Sequence, residues 1–255
     1  MATGSCCLSM IPVRSEPTGR ATMVNQLLFG DRVKVLEEIP DWVKISSIHD
    51  GYEGWCETNQ LTFDQVEEPE AERKLVSDIT SSFISGNKLL TLVYGSHVHL
   101  INGELKIGND RYIQISGNLT PPLELNGKNI VANALKLIGS PYLWGGRSPF
   151  GIDCSGLIQV IFKFSNLALP RDAWQQAEHP GEFIDLIAET AAGDVAFFDN
   201  EEGKIIHTGI LTGDGSIIHA SGKVRIDSID HNGIYNRETG KYSHKLRIIK
   251  RFRNN

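Results

Sequence analysis

The chain has 255 residues, of which 40% are hydrophobic and 22% are charged, and its formal net charge is −6 at pH 7. Because this length exceeds that of a typical single domain, two or three domains are expected. The acidic balance, without a long basic run, argues against nucleic acid as the main ligand. The four cysteines form no zinc-type CxxC pair and do not indicate a disulfide scaffold: Cys6, Cys7, Cys56 and Cys154.

The N-terminal segment does not have the pattern of an export signal. It reads MATGSCCLSMIPVRSEP and lacks both the charged start and the long apolar core of a signal peptide. No later run is long and apolar enough to span a membrane. As the sequence stands, a cytoplasmic protein is expected. An export signal removed from before Met1 would instead place the protein in the periplasm or outside the cell.

The first half of the chain contains two stretches with the pattern of short β-strands. In residues 1–65, DRVKVLEEI and DWVKISS are rich in β-branched and aromatic residues, and DGYEGW supplies a turn. The charged segment VEEPEAERK follows and is predicted to be a linker. In residues 75–125, LLTLVYG, SHVHLI and RYIQI again indicate strands. The pattern predicts one small β-barrel in each stretch.

Residues 129–255 have a mixed pattern that predicts a third domain of the α+β class. NIVANALKLIG has apolar residues at helical spacing and ends on a glycine, and DCSGLIQVIFKFSN has an apolar helical face with Asp153 as its cap. A short helix is expected around DAWQQA. Strands are predicted for DVAFF, IIHTGILT, SIIHAS, VRIDSI and KLRIIKRF. The simplest packing of these elements places one helix against an antiparallel sheet.

Cys154 directly follows the predicted cap of the apolar helix. The partial positive charge of a helix start favours a thiolate over a thiol, so the position would activate a nucleophile. The alternative is a small buried residue with no chemical role, which is the commoner case for a lone cysteine.

His207 and His219 lie in two neighbouring strands that are joined by Gly213-Asp214-Gly215. If these three residues form the turn of a hairpin, His219 lies opposite Gly209 and diagonal to His207 on the same face. One imidazole can then hydrogen-bond the other and fix its tautomer, as a Cys-His pair requires. A two-residue turn would place the two histidines on opposite faces, so the register tests the hypothesis.

No metal or other cofactor is predicted at these histidines. A metal site at His207 and His219 would need another histidine or a carboxylate nearby, and no zinc-type spacing supplies one. The remaining histidines are expected on surfaces: His49, His97, His99, His179, His231 and His244.

Five ordered motifs resemble those of NlpC-type peptidases, which are papain-like bacterial cell-wall enzymes. They are SPYLWGGRSPFGIDCSGLIQ, LPRDAWQQ, AAGDVAFF, HTGI and IIHA, and they span roughly residues 129 to 225. QLLFGDRV, DWVKI and DGYEGW are similar to motifs of bacterial SH3-like domains, and the second β-module is a more divergent example. The resemblance implies a papain-like catalytic domain preceded by two SH3-like β-barrels.

The resemblance implies a cysteine endopeptidase that cuts the bond between D-glutamate, at its γ-carboxyl, and a diamino acid in peptidoglycan peptides. The family's nucleophile, base and third polar residue fall on Cys154, His207 and His219. Members with tandem SH3-like domains act on small peptides with a free N-terminal L-Ala, as in cell-wall turnover or recycling. By position, Asp153 would hold that amine. The other residues implied to line the site are Tyr52, Tyr142, Ser155 and Asp172.

The expected partner is therefore a peptide derived from peptidoglycan, and the chain is expected to act as a monomer. Two alternatives remain open at this point. The same thiolate could serve a cell-wall amidase or acyltransferase, or the third domain could bind cell-wall peptides without catalysis.

Overall fold

The computed structural model describes residues 2–63 and 70–253 of the chain. These residues divide into two compact units. The first comprises Met1–Pro122 and Trp144–Pro149, and the second comprises Leu123–Leu143 and Phe150–Asn255. The predicted linker falls partly on residues 64–69, which lie outside the described residues. Its C-terminal end is not a linker, because Glu72–Val76 forms a strand.

The first unit begins with a seven-stranded antiparallel sheet. Its strands are β1 (Thr3–Cys6), β2 (Met10–Arg14), β3 (Met23–Leu28), β4 (Arg32–Ile39), β5 (Trp42–Ser47), β6 (Glu53–Glu57) and β7 (Leu61–Phe63), with a 3₁₀ turn at Thr58–Gln60. They are ordered β3-β2-β6-β5-β4-β1-β7. Buried and partly exposed side chains alternate along β5, as in a strand with one face on the core: Val43 and Ile45 are buried, whereas Lys44 and Ser46 are only partly covered.

A second seven-stranded antiparallel sheet follows in the same unit. Its strands are β8 (Glu72–Val76), β9 (Thr80–Ser85), β10 (Lys88–Val93), β11 (His97–Ile101), β12 (Glu104–Ile107), β13 (Asp110–Ser116) and β14 (Leu119–Thr120). They are ordered β10-β9-β13-β12-β11-β8-β14. A core that includes Phe83, Leu92 and Val98 lies within this sheet. The predicted strands LLTLVYG, SHVHLI and RYIQI correspond to β10, β11 and β13.

The segment Trp144–Pro149 belongs to the first unit, although it is far away in sequence. It contains the short strand β15 (Arg147–Ser148). The buried Arg147 guanidinium donates to the Asp31 carboxylate at 3.0 Å and to the Gln26 carbonyl at 2.9 Å. At Gly145, where φ is +78°, a Cβ atom would lie 2.7 Å from the Met23 carbonyl oxygen. Gly145 therefore permits a close backbone approach within this unit.

The second unit contains three α-helices among its described residues. They are α1 (Gly127–Leu135), α2 (Cys154–Lys163) and α3 (Ala173–Glu178), and a 3₁₀ turn spans Ile187–Glu189. The helices predicted around Cys154 and DAWQQA are confirmed. Helix α1 ends at Leu135 instead of continuing to Gly139. No helix among the described residues is long and apolar enough to cross a membrane.

Eight strands complete this unit. They are β16 (Gly151–Ile152), β17 (Glu182–Phe183), β18 (Val195–Asp199), β19 (Ile205–Leu211), β20 (Ser216–Ser221), β21 (Lys223–Asp230), β22 (Gly233–Asn236) and β23 (Lys241–Arg251). The last seven form one antiparallel sheet ordered β17-β23-β18-β19-β20-β21-β22. Because β23 also pairs with β22, the six strands from β18 to β23 close into a barrel. Helix α2 packs against β19 and β20.

The ion pair between Arg147 and Asp31 supports a stability prediction. Asp31→Asn should lower the free energy of unfolding by about 3 kcal/mol, because it leaves a buried guanidinium without its charge partner. Asp110→Asn, which breaks the exposed pair with Lys88, is the control and should change stability little. Urea unfolding of the three proteins measures the difference. Equal midpoints for Asp31→Asn and wild type would contradict the prediction.

Candidate active site

Cys154 is the first residue of α2, and the preceding Asp153 caps the helix. The Asp153 backbone is extended, and its carboxylate accepts a hydrogen bond from the Gly156 N–H at 2.7 Å. This satisfies one of the N–H groups that a helix start leaves without an intrahelical partner. The predicted cap is confirmed, and it places Cys154 at the N-terminus of a helix whose residues are all buried.

The Cys154 thiol is buried, and this opposes the predicted thiolate. Burial, together with the charge of Asp153, raises its pKa to about 12. The backbone N–H groups of Thr208 and Ser155 and the charge of Arg171 act in the opposite direction but do not outweigh burial. The position at the helix start is therefore not sufficient by itself to ionise Cys154. The contact with Thr208 places the sulfur beside the residue that follows His207.

His207 and His219 have the predicted relation to each other. Strands β19 and β20 pair in the register that places Gly209 opposite His219, and the Thr212 N–H donates to the Ser216 carbonyl across the turn. His207 Nε2 lies 2.9 Å from His219 Nδ1. A Cβ atom at Gly209 would lie 2.9 Å from the His219 Cβ, so the glycine leaves room for this side chain. The predicted register and imidazole contact are confirmed.

The sequence reasoning missed a carboxylate behind His219. Asp227 on β21 is fully buried, and its Oδ2 lies 3.0 Å from His219 Nε2. Arg225 donates to both Asp227 oxygens, at 2.7 and 3.1 Å, and the Arg237 N–H donates to Oδ1 at 3.0 Å. Ile217 pairs with Asp227 across β20 and β21, so Asp227 is diagonal to His219. A hydrogen-bonded chain therefore joins His207, His219, Asp227 and Arg225.

His244 was predicted to lie on the surface, and this prediction is wrong. Its imidazole is half-buried and stacks on that of His207, with ring centroids 4.0 Å apart and an interplanar angle of 21°. Its Nδ1 lies 2.9 Å from the Ser243 hydroxyl. His244 is on β23, and the closure of the barrel by this strand brings it to His207. Because His244 lies far from His207 in the sequence, no local pattern indicated that the two side chains would be neighbours.

Burial keeps the three imidazoles uncharged. It lowers the pKa of His207 well below its usual value, and the nearby His244 and His219 add to the effect. For His219, burial also lowers the pKa, although the hydrogen bond and charge of Asp227 oppose this. Burial and His219 lower the pKa of His244 to about 4. Protonation of any one ring would place a charge among buried neighbours.

The three histidines His207, His219 and His244 form a cluster whose ring nitrogens lie within 4.8 Å of one another, which is close enough for a set of metal ligands. An imidazole binds a metal in the plane of its ring. The nearly parallel stacked rings of His207 and His244 cannot both point at one ion in this arrangement. In addition, His207 and His219 use ring nitrogens to bond each other. The donor set therefore does not fit a metal site as it stands.

Several predicted binding residues lie around Cys154. The Arg171 guanidinium contacts both oxygens of Asp153 and donates to the Ser155 hydroxyl at 2.8 Å. Burial raises the pKa of Tyr142 to about 12, and the proximity of Cys154 and Asp153 adds to the rise. Asp153 thus has a structural role as helix cap and partner of Arg171. A role in holding a substrate amine stays a prediction.

The other two predicted binding residues have local structural roles. Asp172 is the N-cap of α3, and its backbone N–H donates to the Gln175 side chain at 3.2 Å. Tyr52 lies in the first unit, where its N–H donates to the Asp50 carboxylate at 3.1 Å. Their roles towards a substrate stay predictions.

Comparison with known proteins identifies the family. The family model "NlpC/P60 family" matches residues 139–242, and the model "Bacterial SH3 domain" matches residues 11–62. A Bacillus subtilis protein named gamma-D-glutamyl-L-lysine dipeptidyl-peptidase is 33% identical over 215 residues, covering 76% of this chain and 71% of that protein. Dipeptidyl-peptidase 6 of Lysinibacillus sphaericus is 28% identical over 251 residues, covering 87% of this chain and 89% of that protein.

A solved structure has the same fold. The crystal structure of an NlpC/P60 family protein from Bacillus cereus aligns with a TM-score of 0.84 at 20% identity, covering 98% of this chain and 99% of that one. The chain belongs to the NlpC/P60 family and is a cysteine-type peptidase.

The lowered pKa values of the buried histidines predict that stability depends on pH. Because the unfolded chain protonates these rings near pH 6.5 and the folded chain does not, stability is full above that pH and falls as the pH is lowered. Each such histidine contributes a slope of up to about 1.4 kcal/mol per pH unit. His244→Gln should flatten the slope between about pH 6.5 and pH 4. Urea unfolding across this range measures it, and an unchanged slope would contradict the prediction.

Proposed function

We propose that this peptidase hydrolyses the bond between the γ-carboxyl of D-glutamate and the following diamino acid in peptidoglycan peptides. Similar proteins support the bond type, because the Bacillus subtilis relative and a second one from Bacillus cereus both carry the name gamma-D-glutamyl-L-lysine dipeptidyl-peptidase. The observation that carries the proposal is the hydrogen bond between His207 and His219, together with the contact of the Cys154 sulfur with Thr208, the residue that follows His207. The chain thus holds the parts of a Cys-His-His site.

In this proposal the reaction is acyl transfer in two steps. His207 takes the proton of Cys154, and the sulfur attacks the γ-glutamyl carbonyl to form a thioester as the diamino acid leaves with that proton. Water, activated by His207, then hydrolyses the thioester and restores the thiol. The Cys154 N–H at the start of α2 is a candidate donor to the oxyanion, and one such donor contributes about 3 kcal/mol.

Transfer of the proton within the Cys154–His207 pair suits their burial. A thiolate alone or an imidazolium alone is costly in this environment, as the raised pKa of Cys154 and the lowered pKa of His207 indicate. The transfer forms both charges at once, next to each other, so that they attract. His219 holds the His207 ring in position throughout.

We further propose that the substrates are small peptides with a free N-terminal L-Ala, as in cell-wall turnover or recycling. Asp153 would hold the amine, and Tyr52, Tyr142, Ser155 and Asp172 would line the site. The proximity of Tyr142 to Cys154 and Asp153 supports this for one of them. The proposed domains are 1–65 and 75–125 as SH3-like domains and 129–255 as the catalytic domain.

The proposed function is tested with L-Ala-γ-D-Glu-L-Lys and its diaminopimelate counterpart, each with a free and an acetylated N-terminus. Mass spectrometry should detect release of L-Ala-D-Glu by the wild type and none by Cys154→Ala, which keeps the helix cap. Cleavage restricted to the free amines supports the role of Asp153. Cleavage of acetylated peptides would remove the proposed preference, and turnover by Cys154→Ala would exclude the mechanism.

The reactivity of Cys154 provides a second test. In His207→Ala, Cys154 becomes a buried thiol without a base, so alkylation by iodoacetamide at pH 7 should fall strongly and should rise only at alkaline pH. His231→Ala, on an exposed turn, is the control and should react like the wild type. Peptide mapping identifies the alkylated cysteine. Equal rates at pH 7 for His207→Ala and wild type would exclude His207 as the base.

A further inference from the structure

The direction of the hydrogen bond between His207 and His219 decides whether His207 can be a base. A neutral imidazole carries its proton on one of its two nitrogens. If His207 Nε2 donates to His219 Nδ1, then His207 Nδ1 is unprotonated and can accept a proton. If His219 donates instead, the proton of His207 is on Nδ1, and this nitrogen cannot take the proton of Cys154. Both directions fit the 2.9 Å separation.

Asp227 removes this ambiguity. Although burial opposes its ionisation, the hydrogen bonds from Arg225, the Arg237 N–H and His219 lower its pKa, so the carboxylate is ionised at neutral pH. An ionised carboxylate can only accept hydrogen bonds. The proton in the 3.0 Å contact between Asp227 and His219 must therefore be on His219 Nε2. His219 Nδ1 is then an acceptor, and His207 Nε2 is the donor.

We propose that Asp227 is a positioning residue that sets the direction of the hydrogen bonds through His219 to His207 and so leaves His207 Nδ1 free to act. This inference rests on the proposed function, in which His207 is the base of Cys154. Asp227 touches neither the substrate nor the sulfur in this account. It acts through His219, from the strand next to it.

Arg225 holds this carboxylate in place. Its guanidinium donates to both Asp227 oxygens and is itself held by Glu238 at 2.8 Å and Asn236 at 3.1 Å. The titratable and charged groups that face His219 are His207 on β19, His244 on β23, and Asp227 and Arg225 on β21. Only Asp227 in this set supplies a negative charge. Asp227 therefore favours protonation of His219, while burial and the charge of Arg225 oppose it.

Asp227→Asn tests the inference. An asparagine can donate or accept, so both tautomers of His219 become available and kcat should fall, with little change in KM. The corresponding Asp→Asn change in a serine protease costs about 10⁴ in kcat. Because Asp227 is one hydrogen bond further from the base, a loss of about 10² is expected. Asp230→Asn, on the same strand and bonded to Tyr242, is the matched control and should retain wild-type kcat.

The pH profile separates positioning from a purely structural role. Loss of the carboxylate charge lowers the pKa of the histidine pair, so the acidic limb of kcat/KM should move to lower pH in Asp227→Asn. A structural defect would reduce the active fraction without moving this limb. An unchanged kcat and an unchanged limb would overturn the inference.

A measurement on the native cluster remains decisive if Asp227→Asn does not fold. Nitrogen-15 NMR of Cys154→Ala reports the tautomer of each histidine, and both His219 and His207 should carry the proton on Nε2. A proton on His207 Nδ1 would overturn the inference. The two proposals fail differently: turnover by Cys154→Ala excludes the catalytic mechanism, whereas wild-type behaviour of Asp227→Asn, with Cys154→Ala inactive, excludes only the role of Asp227.

Discussion

The hydrogen bond between His207 and His219 is the interaction on which the rest of the site depends. It exists because a three-residue turn joins β19 and β20, with both Gly213 and Gly215 at positive φ. A turn one residue shorter would move His219 to the other face of the sheet. Gly209 leaves the space that the His219 side chain occupies. The geometry of two imidazoles thus follows from the backbone requirements of a few glycines.

Burial shapes the chemistry of this cluster as much as position does. Cys154 begins a helix, which favours a thiolate, yet its pKa is raised because it is surrounded by protein. The imidazoles are likewise kept neutral. In the proposed mechanism, Cys154 and His207 both stay uncharged until the proton moves from sulfur to nitrogen. The ionised Asp227, stabilised by Arg225, is the fixed charge that remains close to the pair.

The sequence permitted prediction of the parts of the site that depend on local structure. The cap at Asp153, the helix after it and the register of His207 and His219 all follow from neighbouring residues. The position of Asp227 near His219 could also have been predicted from the sequence, because the turn at Gly222 pairs Ser221 with Lys223 and so aligns Ile217 with Asp227. The carboxylate was missed because the register was not extended to the next strand.

His244 and the segment Trp144–Pro149 depend on contacts that no local pattern reveals. His244 reaches His207 only because β23 pairs with both β18 and β22 and closes the barrel. Gly145 approaches the Met23 carbonyl, and Arg147 reaches Asp31. These contacts join residues that are far apart in the sequence, and no local pattern of residue types predicts them.

In the proposed mechanism, Cys154 attacks the γ-glutamyl carbonyl and carries the acyl group. Intact-protein mass spectrometry after rapid acid quenching of a reaction with L-Ala-γ-D-Glu-L-Lys tests it most directly. We expect a transient adduct with the mass of L-Ala-D-Glu less one water, which peptide mapping should assign to Cys154. Efficient hydrolysis with no adduct at any quench time, or an adduct on another residue, would contradict it.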